Sequence, residues 1–213
     1  MKNKIEAVVF DLDGTLVSSH ETILKTVKMA LAECGYNHPI DPAKFYSTIG
    51  KHFQEIFFDL KIEISDLDQF IRIYKSNYFN YIDYSKLYPG VVKLLEYLKI
   101  EKIKIGLLTT KMQEQADLIV EHFNLQNYFD IIVGRRDGIE IKPSPQPLNF
   151  ISNKIDIPCK NILMVGDTEM DIQCGKNAGA QTCAVTFGYR SKEILRNENP
   201  DFLISDLSEI TKL

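Results

Sequence analysis

The sequence predicts an α/β fold, in which helices cover both faces of a parallel sheet and an all-helical domain is inserted near the start. Three observations lead to this prediction. Residues 5–10 form an apolar run rich in β-branched side chains, which is typical of a strand buried on both faces. From residue 91 onward, helical patterns alternate with short apolar strand patterns. Residues 20–85 contain no convincing strand pattern.

Composition and charge exclude several classes of protein. The 213 residues, of which 45% are hydrophobic, suffice for one core or for one core with a smaller satellite domain. The net charge of -4, with acidic and basic residues interspersed, offers no electrostatic surface for nucleic acid. The basic start and the apolar run 5–10 are too short for a signal peptide or membrane span, so we expect a cytoplasmic protein. The cysteines and histidines are scattered, which argues against a zinc site or disulfide framework.

The inserted segment carries helical patterns. Apolar side chains recur at helical spacing in residues 23–34, 53–60 and 67–81. Of the 22 aromatic residues (10 Tyr and 12 Phe), 13 lie in residues 36–88, where their spacing favours packing over a ligand cage. We therefore predict a helical domain over residues 18–87 with its own small core.

The remaining residues, 1–17 and 88–213, are assigned to one α/β domain. Their patterns alternate in the way that builds a parallel sheet with helices on both faces. Strands are expected at 103–108, 131–133, 162–165 and 182–187, helices at 91–98, 112–123, 146–153 and 169–178, and weaker elements near Ile194, Phe202 and Leu207.

Two carboxylates stand at the predicted tip of the first strand. Asp11 and Asp13 are one residue apart, and Gly14 then supplies a turn. In open parallel sheets, ligands bind in the crevice beyond the carboxyl ends of the strands. Neighbouring carboxylates attract cations, and Mg²⁺ is usually held by one or two carboxylates together with a substrate phosphate. The strand tip therefore predicts a magnesium and phosphate site.

Hydroxyl groups follow the predicted second strand, which ends in Thr109 and Thr110 before Lys111. If a helix begins there, its exposed backbone N–H groups would bind a phosphate. Judged from these residues alone, an N-cap is the more ordinary role for either threonine.

A lysine and two more acids follow other predicted elements. Lys142 begins a segment with three prolines, which we expect to hold the loop extended so that the lysine projects from a stiff segment. A lysine in a loop is usually only solvated surface. Asp167 and Asp171 lie four residues apart after the 162–165 strand, and both can face the crevice. The dipole of the following helix alone would also explain acids there.

These stretches together resemble the four motifs of the haloacid dehalogenase (HAD) superfamily. Asp11-Leu12-Asp13-Gly14-Thr15 resembles the first, and Thr109 stands where the second has Ser or Thr. The third motif resembles the Lys-Pro-x-Pro at residues 142–145, and the fourth the Gly-Asp-Thr-x-x-Asp at residues 166–171. The helical insertion resembles the cap of the phosphoglycolate phosphatase and β-phosphoglucomutase branch. The resemblance implies a Rossmann-like core domain with an inserted helical cap domain.

The resemblance also implies a reaction. Asp11 would attack phosphorus to form an aspartyl-phosphate, which splits one difficult displacement into two easier ones. Asp13 would protonate the leaving oxygen and then take a proton from the attacking water. Magnesium would be held by Asp11, the Asp13 backbone carbonyl and Asp167.

Four further residues receive roles from the same resemblance. Thr109, Thr110 and Lys142 would bind the phosphoryl group, and Asp171 would support the site. The implied partner is a small phosphorylated metabolite, with no nucleic acid or membrane, and the protein is expected to be a monomer or homodimer. Thr110 stands where the family often has Asn, so the resemblance does not specify a particular substrate.

The helical cap is the segment expected to select the substrate. Gly50 and Lys51 are the candidate contacts, because a glycine permits close approach and basic side chains follow it among mostly apolar neighbours. A solvated loop at a helix start explains the same residues equally well.

Other functions remain open at this point. A phosphosugar mutase like β-phosphoglucomutase is one, although Thr15 resembles the phosphatases more than the mutases. A pyrophosphatase or nucleotidase of the same family is another. A signalling receiver domain also uses a strand-tip aspartate and a lysine, but the long helical segment and the position of Asp11 in the chain fit it less well. A catalytically idle scaffold conflicts with the retention of all the acids and the lysine.

Overall fold

The computed structural model describes residues 4–37 and 39–213. The first three residues, which belong to the basic start of the chain, and His38 lie outside the described part. The chain divides into two compact units. One, the α/β unit, comprises the described part of Met1–Leu16 together with Leu87–Leu213. The other, the helical unit, is Val17–Lys86.

The described residues form strands and helices in the following order. The strands are β1 (Ala7–Phe10), β2 (Val17–Ser18), β3 (Lys86–Leu87), β4 (Lys104–Met112), β5 (Ile131–Arg135), β6 (Ile162–Gly166), β7 (Gln181–Val185) and β8 (Phe202–Ile204). The α-helices are α1 (His20–Glu33), α2 (Pro42–Tyr46), α3 (Phe53–Asp59), α4 (Leu67–Asn77), α5 (Val91–Ile100), α6 (Gln113–His122), α7 (Gln146–Ile155), α8 (Glu169–Asn177) and α9 (Lys192–Asn197). Short 3₁₀ helices occupy Tyr78–Tyr84, Cys159–Asn161 and Leu207–Lys212.

The α/β unit is built on a six-stranded sheet with the order β5-β4-β1-β6-β7-β8. All neighbouring strands are parallel. Strand order reverses between β1 and β6, and such a switch point opens a crevice beyond the carboxyl ends of the strands. The predicted α/β, Rossmann-like fold is confirmed.

Strand β1 lies in the middle of this sheet because its side chains are apolar on both faces. All four of its residues are buried, and Val9 pairs with Gly106 of β4 on one side and with Met164 of β6 on the other. A fully apolar strand is stable only where helices cover both faces of the sheet. Its carboxyl end therefore lies at the centre of the crevice.

The predicted end of the second long strand was wrong. Strand β4 was expected to end at Leu108, but it runs on to Met112, with a shift of register after Leu108. The pairing of Met112 with Arg135 of β5 carries the strand further than its own apolar run predicts. Helix α6 begins only at Gln113, so the interpretation of Thr109 or Thr110 as its N-cap was also wrong.

The helical unit has an aromatic core. The ring of Phe70 makes edge-on contacts with the rings of Phe53 and Phe57, with centroids 5.0 and 4.9 Å apart. Phe53 also lies edge-on to Tyr74, with centroids 4.7 Å apart. Phe70 and Tyr78 are fully buried, and Tyr74 and Tyr78 have ring centroids 5.8 Å apart. Aromatic pairs with this geometry stabilise a core beyond the burial of their area. The predicted packing role of these rings is confirmed.

Among the described residues, no helix combines the length and the apolar character needed to cross a membrane.

We expect Phe70→Ala to lower the free energy of unfolding of the helical unit by about 3–5 kcal/mol, because it leaves a cavity among three aromatic rings. Urea unfolding followed by circular dichroism measures the change. Phe58→Ala is the matched control, since that ring is 83% exposed and its loss is expected to change stability by no more than about 0.5 kcal/mol. Equal effects of the two substitutions would contradict the proposed core.

Candidate active site

Asp11 stands at the carboxyl end of β1. Its backbone N–H donates to the carbonyl oxygen of Val165 at 2.8 Å, which continues the sheet ladder by one residue and orients the side chain. The residue is only 6% exposed. The strand therefore delivers a nearly buried carboxylate to the crevice, as the sequence predicts.

Asp167 follows β6, the neighbour of β1, and is fully buried. Its Oδ2 accepts the backbone N–H of Tyr189 at 2.7 Å, and its Oδ1 accepts the hydroxyl of Thr15 at 3.4 Å. Two glycines make room for this carboxylate. A Cβ on Gly188 would lie 2.2 Å from the Asp167 Cβ, and one on Gly14 would lie 2.3 Å from its Oδ2. Side chains at these positions would displace the carboxylate.

Asp171 lies in the first turn of α8 and is 1% exposed. Its Oδ2 accepts the backbone N–H of Thr168 at 3.0 Å and the Thr168 hydroxyl at 2.6 Å, which caps the helix. Gly166 allows the close approach, because a Cβ there would lie 2.2 Å from the Asp171 Cβ. The acid is therefore held in place by the helix that it caps.

Lys142 joins two of these acids. Its Nζ lies 2.5 Å from the Asp11 Oδ1 and 2.6 Å from the Asp171 Oδ1. The third donated hydrogen bond goes to the carbonyl oxygen of Leu108 at 3.0 Å. With its side chain 3% exposed, the lysine is buried and is not the solvated surface residue that a loop position usually implies.

The loop around Lys142 is a turn, so the prediction of an extended segment was wrong. The backbone N–H of Ser144 donates to the carbonyl oxygen of Ile141 at 3.0 Å, and the Lys142-Pro143 peptide bond is cis. Pro145 has φ -73° and ψ -14°, which is helical. Proline restricts φ to values that extended and turn conformations share, so prolines alone do not distinguish the two.

Three carboxylates converge in this crevice. Asp11, Asp167 and Asp171 each offer an oxygen within 4.8 Å of the others. Burial raises the pKa of Asp11 to about 7, although the positive charge of Lys142 acts to lower it. Burial, followed by the charges of Asp11 and Asp171, raises the pKa of Asp167 well above its ordinary value. A hard cation with oxygen ligands would relieve this repulsion, so the residues present fit a divalent metal ion.

The lysine stays charged in this environment. Burial alone would lower the pKa of Lys142, but the carboxylates of Asp11 and Asp171 raise it above the ordinary value. A permanent positive charge therefore lies beside Asp11.

The other predicted site residues of the α/β unit lie at the ends of β1 and β4. The Asp13 Oδ2 is 3.4 Å from the Nζ of Lys111. Thr109 is 3% exposed, and its hydroxyl accepts the backbone N–H of Lys111 at 3.2 Å. Thr110 is half-buried in the same strand. The side chain of Asp13 is not one of the three clustered carboxylates.

Comparison with protein families assigns the chain to a family. Residues 8–185 match the family model described as haloacid dehalogenase-like hydrolase. The chain belongs to this family.

Relatives with named functions span nearly the whole chain of this HAD-like hydrolase. A protein from Aquifex aeolicus (strain VF5) named phosphoglycolate phosphatase is 31% identical over 212 residues, which is 98% of this chain and 96% of its own. A protein from Bacillus mycoides (strain KBAB4) named pyrophosphatase PpaX is 30% identical over 210 residues, or 97% of this chain and 95% of its own.

A solved structure shows the same fold. The crystal structure of a predicted phosphoglycolate phosphatase from Haemophilus somnus 129pt superposes with a TM-score of 0.85 at 27% identity. The match covers 99% of this chain and 98% of that one. The predicted family membership is therefore confirmed, and the protein is a hydrolase of the HAD-like family.

Gly50 and Lys51, the candidate substrate contacts, belong to the helical unit. Gly50 has φ 101°, a value that favours glycine, and Lys51 is paired with Asp59 at 2.8 Å. Both partners of this ion pair are about one-third exposed. A contact of these residues with substrate stays a prediction.

Several residues around the carboxylates were missed by sequence reasoning. Lys111 pairs with Asp13, the backbone of Tyr189 holds Asp167, and the buried Arg190 pairs with Glu169 at 2.8 Å. Lys111 could have been noticed from its position directly after the two strand-tip threonines. Gly188, which directly follows a predicted strand, could likewise have indicated the loop that contains Tyr189.

The raised pKa of Asp11 predicts a dependence of stability on pH in the metal-free protein. The folded state keeps a proton on Asp11 that the unfolded chain releases above its ordinary pKa. The contribution of this retained proton to the stability of the folded state is therefore complete below about pH 4 and is lost as the pH rises through about 7. We expect Asp11→Asn in EDTA to be more stabilising at pH 8 than at pH 5, by about 1–3 kcal/mol.

Unfolding by urea at the two pH values measures this difference. Asp130→Asn is the control, because the hydrogen bonds from Lys104 and the Ile105 backbone outweigh burial and lower the pKa of Asp130. That carboxyl is ionised at both pH values, so its replacement should have the same effect at pH 5 and pH 8. A pH-independent effect of Asp11→Asn would contradict the raised pKa.

Proposed function

We propose that this hydrolase is a magnesium-dependent phosphatase that hydrolyses a small phosphate monoester through an aspartyl-phosphate on Asp11. One observation carries the proposal. The buried carboxylate of Asp11 lies at the sheet's switch point, 2.5 Å from a lysine ammonium and within a cluster of three acids. Phosphoryl transfer depends mostly on positioning and on neutralising charge, and this arrangement supplies both.

The contacts of Asp171 support a division of labour among the three acids. Its Oδ1 accepts from Lys142 and its Oδ2 from the Thr168 hydroxyl, both at 2.6 Å. By contrast, the Thr15 hydroxyl is 3.4 Å from the Oδ1 of Asp167, a long contact that leaves this oxygen for a metal ion. We assign Asp11, Asp167 and the Asp13 backbone carbonyl to the metal ion and leave Asp171 as the supporting residue. When bound, Mg²⁺ would neutralise the phosphate dianion so that a carboxylate can approach it.

Lys142 and the threonines are the proposed phosphate-binding residues. The ammonium of Lys142 offsets the negative charge that an approaching phosphate would meet at Asp11. Thr109 and Lys142 both line one small cavity, which is formed by residues of β4 and β5 and of the loop before α7. Thr110 neighbours Thr109, and its contribution follows from the family resemblance alone.

Asp13 is the proposed acid and base of the reaction. In the first step it would give a proton to the leaving alkoxide oxygen while the Asp11 carboxylate attacks phosphorus. In the second step it would take a proton from the water that attacks the aspartyl-phosphate. Its position two residues from Asp11 on the same strand tip suits a group that serves both steps.

A pyrophosphatase is the second candidate, because relatives named pyrophosphatase PpaX are 30% identical over 97% of the chain. Both candidates use the same phosphoryl site and differ in the leaving group. We further propose that the natural substrate is a small phosphorylated metabolite and that the protein is cytoplasmic.

A panel of metabolite phosphates tests the function. Purified protein with Mg²⁺ is expected to release inorganic phosphate from one or more small monoesters over many turnovers, and excess EDTA is expected to stop the release. Phosphoglycolate, sugar phosphates, nucleotides and inorganic pyrophosphate are assayed together, and the pattern separates the two candidates. Full activity in EDTA with no metal detectable in the protein would contradict the proposed site.

Asp11→Asn is expected to reduce turnover on every substrate to below a few per cent of wild type, because the amide is a poor nucleophile. Magnesium binding, measured by calorimetry, should be weakened but not lost, since an oxygen ligand remains. Asp130→Asn, at the opposite end of the sheet, should leave turnover unchanged. Substantial activity of Asp11→Asn would remove Asp11 from the role of nucleophile.

Lys51→Ala tests the proposed role of the helical unit in selecting the substrate. If Lys51 contacts the leaving group, kcat/KM for an anionic or sugar phosphate should fall by about tenfold while an aromatic test ester is spared. The matched control is Lys44→Ala, another exposed lysine of the same unit. A uniform loss across the panel, or none, would show that Lys51 does not select the substrate.

A further inference from the structure

A second lysine lies beside the acids of the active site. The Nζ of Lys111 is 3.4 Å from the Asp13 Oδ2, and the two side chains are only 9% and 13% exposed. Lys142 pairs with two of the other three carboxylates, Asp11 and Asp171. The site therefore contains two separate lysine–carboxylate groups, and Lys111 is the lysine to which the proposed reaction has not yet given a role.

The backbone around Lys111 places this ammonium. Strand β4 shifts its register between Leu108 and Met112, so Lys111 lies in an irregular part of the strand. The hydroxyl of Thr109 accepts the backbone N–H of Lys111 at 3.2 Å and ties the irregular segment together. Lys111 is thus connected through its backbone to a proposed phosphate-binding residue and through its side chain to Asp13.

Burial distinguishes this pair from an ordinary surface ion pair. Exposed pairs contribute little, because solvent and salt screen them. Lys104, at the other end of the same strand, pairs with Asp130, and the two side chains are 50% and 21% exposed. The Lys111 ammonium is less hydrated, so its attraction for the Asp13 carboxylate is screened less.

We propose that Lys111 is a positioning residue that holds the Asp13 carboxylate for the second step of the reaction. In that step a water oxygen forms a bond to phosphorus, and the bond between phosphorus and the Asp11 oxygen breaks. Its electron pair returns to the Asp11 carboxylate. One water proton passes to the Asp13 carboxylate, which the Lys111 ammonium holds in place. The proposal rests on the proposed function, in which Asp13 is the base.

The two steps are separated with p-nitrophenyl phosphate. Nitrophenolate leaves without a proton, so its release in the first turnover does not need Asp13 as an acid. Lys111→Met should therefore keep the rate of the first-turnover release while the steady-state rate falls by about 10- to 100-fold, the effect of misplacing a reacting group. Rapid mixing should then show a burst, and intact-protein mass spectrometry after acid quench should show phosphorylated enzyme.

A double-mutant cycle tests whether Lys111 acts through Asp13. The rate constant for decay of the phosphorylated enzyme is measured in Lys111→Met, in Asp13→Asn and in the double variant. If Lys111 only positions Asp13, adding Lys111→Met to Asp13→Asn should slow the decay no further. Lys111→Arg should keep most of the wild-type rate because it preserves the charge, and Lys111→Gln should behave like Lys111→Met.

Lys104→Met is the matched control, since Lys104 lies on the same strand as Lys111 and also pairs with an aspartate. It should leave both the burst and the decay rate as in wild type. Circular dichroism checks the fold of every variant, and if Lys111→Met does not fold, the comparison of Lys111→Gln with Lys111→Arg replaces it.

The possible results separate the two proposals. If Lys111→Met and Asp13→Asn slowed the decay of the phosphorylated enzyme independently, Lys111 would act on substrate or phosphate, and its positioning role would be overturned. The same conclusion would follow if Lys111→Met slowed first-turnover release as much as the steady-state rate. Normal turnover of the Lys111 variants with an inactive Asp13→Asn would also overturn it while leaving the proposed function intact. If wild-type protein formed no phosphorylated enzyme and Asp13→Asn were fully active, the proposed function itself would fail.

Discussion

The ion pair between Lys142 and Asp11 is the interaction on which the rest of the site depends. Three carboxylates converge here with little access to water, and burial raises the pKa of Asp11 and Asp167. Without a buried cation, this cluster would be too costly to keep in the folded state, because like charges repel strongly where water is excluded. Lys142 lies between Asp11 and Asp171 and offsets part of that cost. The remaining negative charge is what makes the crevice attractive to a metal ion.

The sheet explains why these groups meet. Neighbouring strands β1 and β6 end side by side at the switch point, and Asp11 and Asp167 follow them directly. Gly188 and Gly14 leave the space that Asp167 occupies, so the backbone itself forms part of the wall around the acids. This arrangement of carboxylates therefore needs few additional interactions beyond those that hold the parallel sheet together.

The helical unit has a different design, which bears on how substrate choice is encoded. Its stability comes from an aromatic core centred on Phe70, and its polar candidate contact, Lys51, is paired with Asp59 at the surface. Relatives that span nearly all of this chain carry names that refer to different substrates: one is named phosphoglycolate phosphatase and another pyrophosphatase PpaX. A phosphoryl site common to the family is compatible with both, so we attribute the difference to residues outside it.

The sequence by itself determined the features that are local in the chain. The apolar run before Asp11 predicts a buried strand with acid at its tip, and the glycine turn before Asp167 predicts the same for β6. The tertiary structure alone decided where β4 ends and whether the Lys142 loop is extended, because strand pairing and turn hydrogen bonds set both. It also decided the partners of the two lysines, since Lys142 and Asp11 are 131 residues apart. The periodicity of the sequence does not specify which group the tip of a long side chain contacts. The packing of the strand ends specifies it.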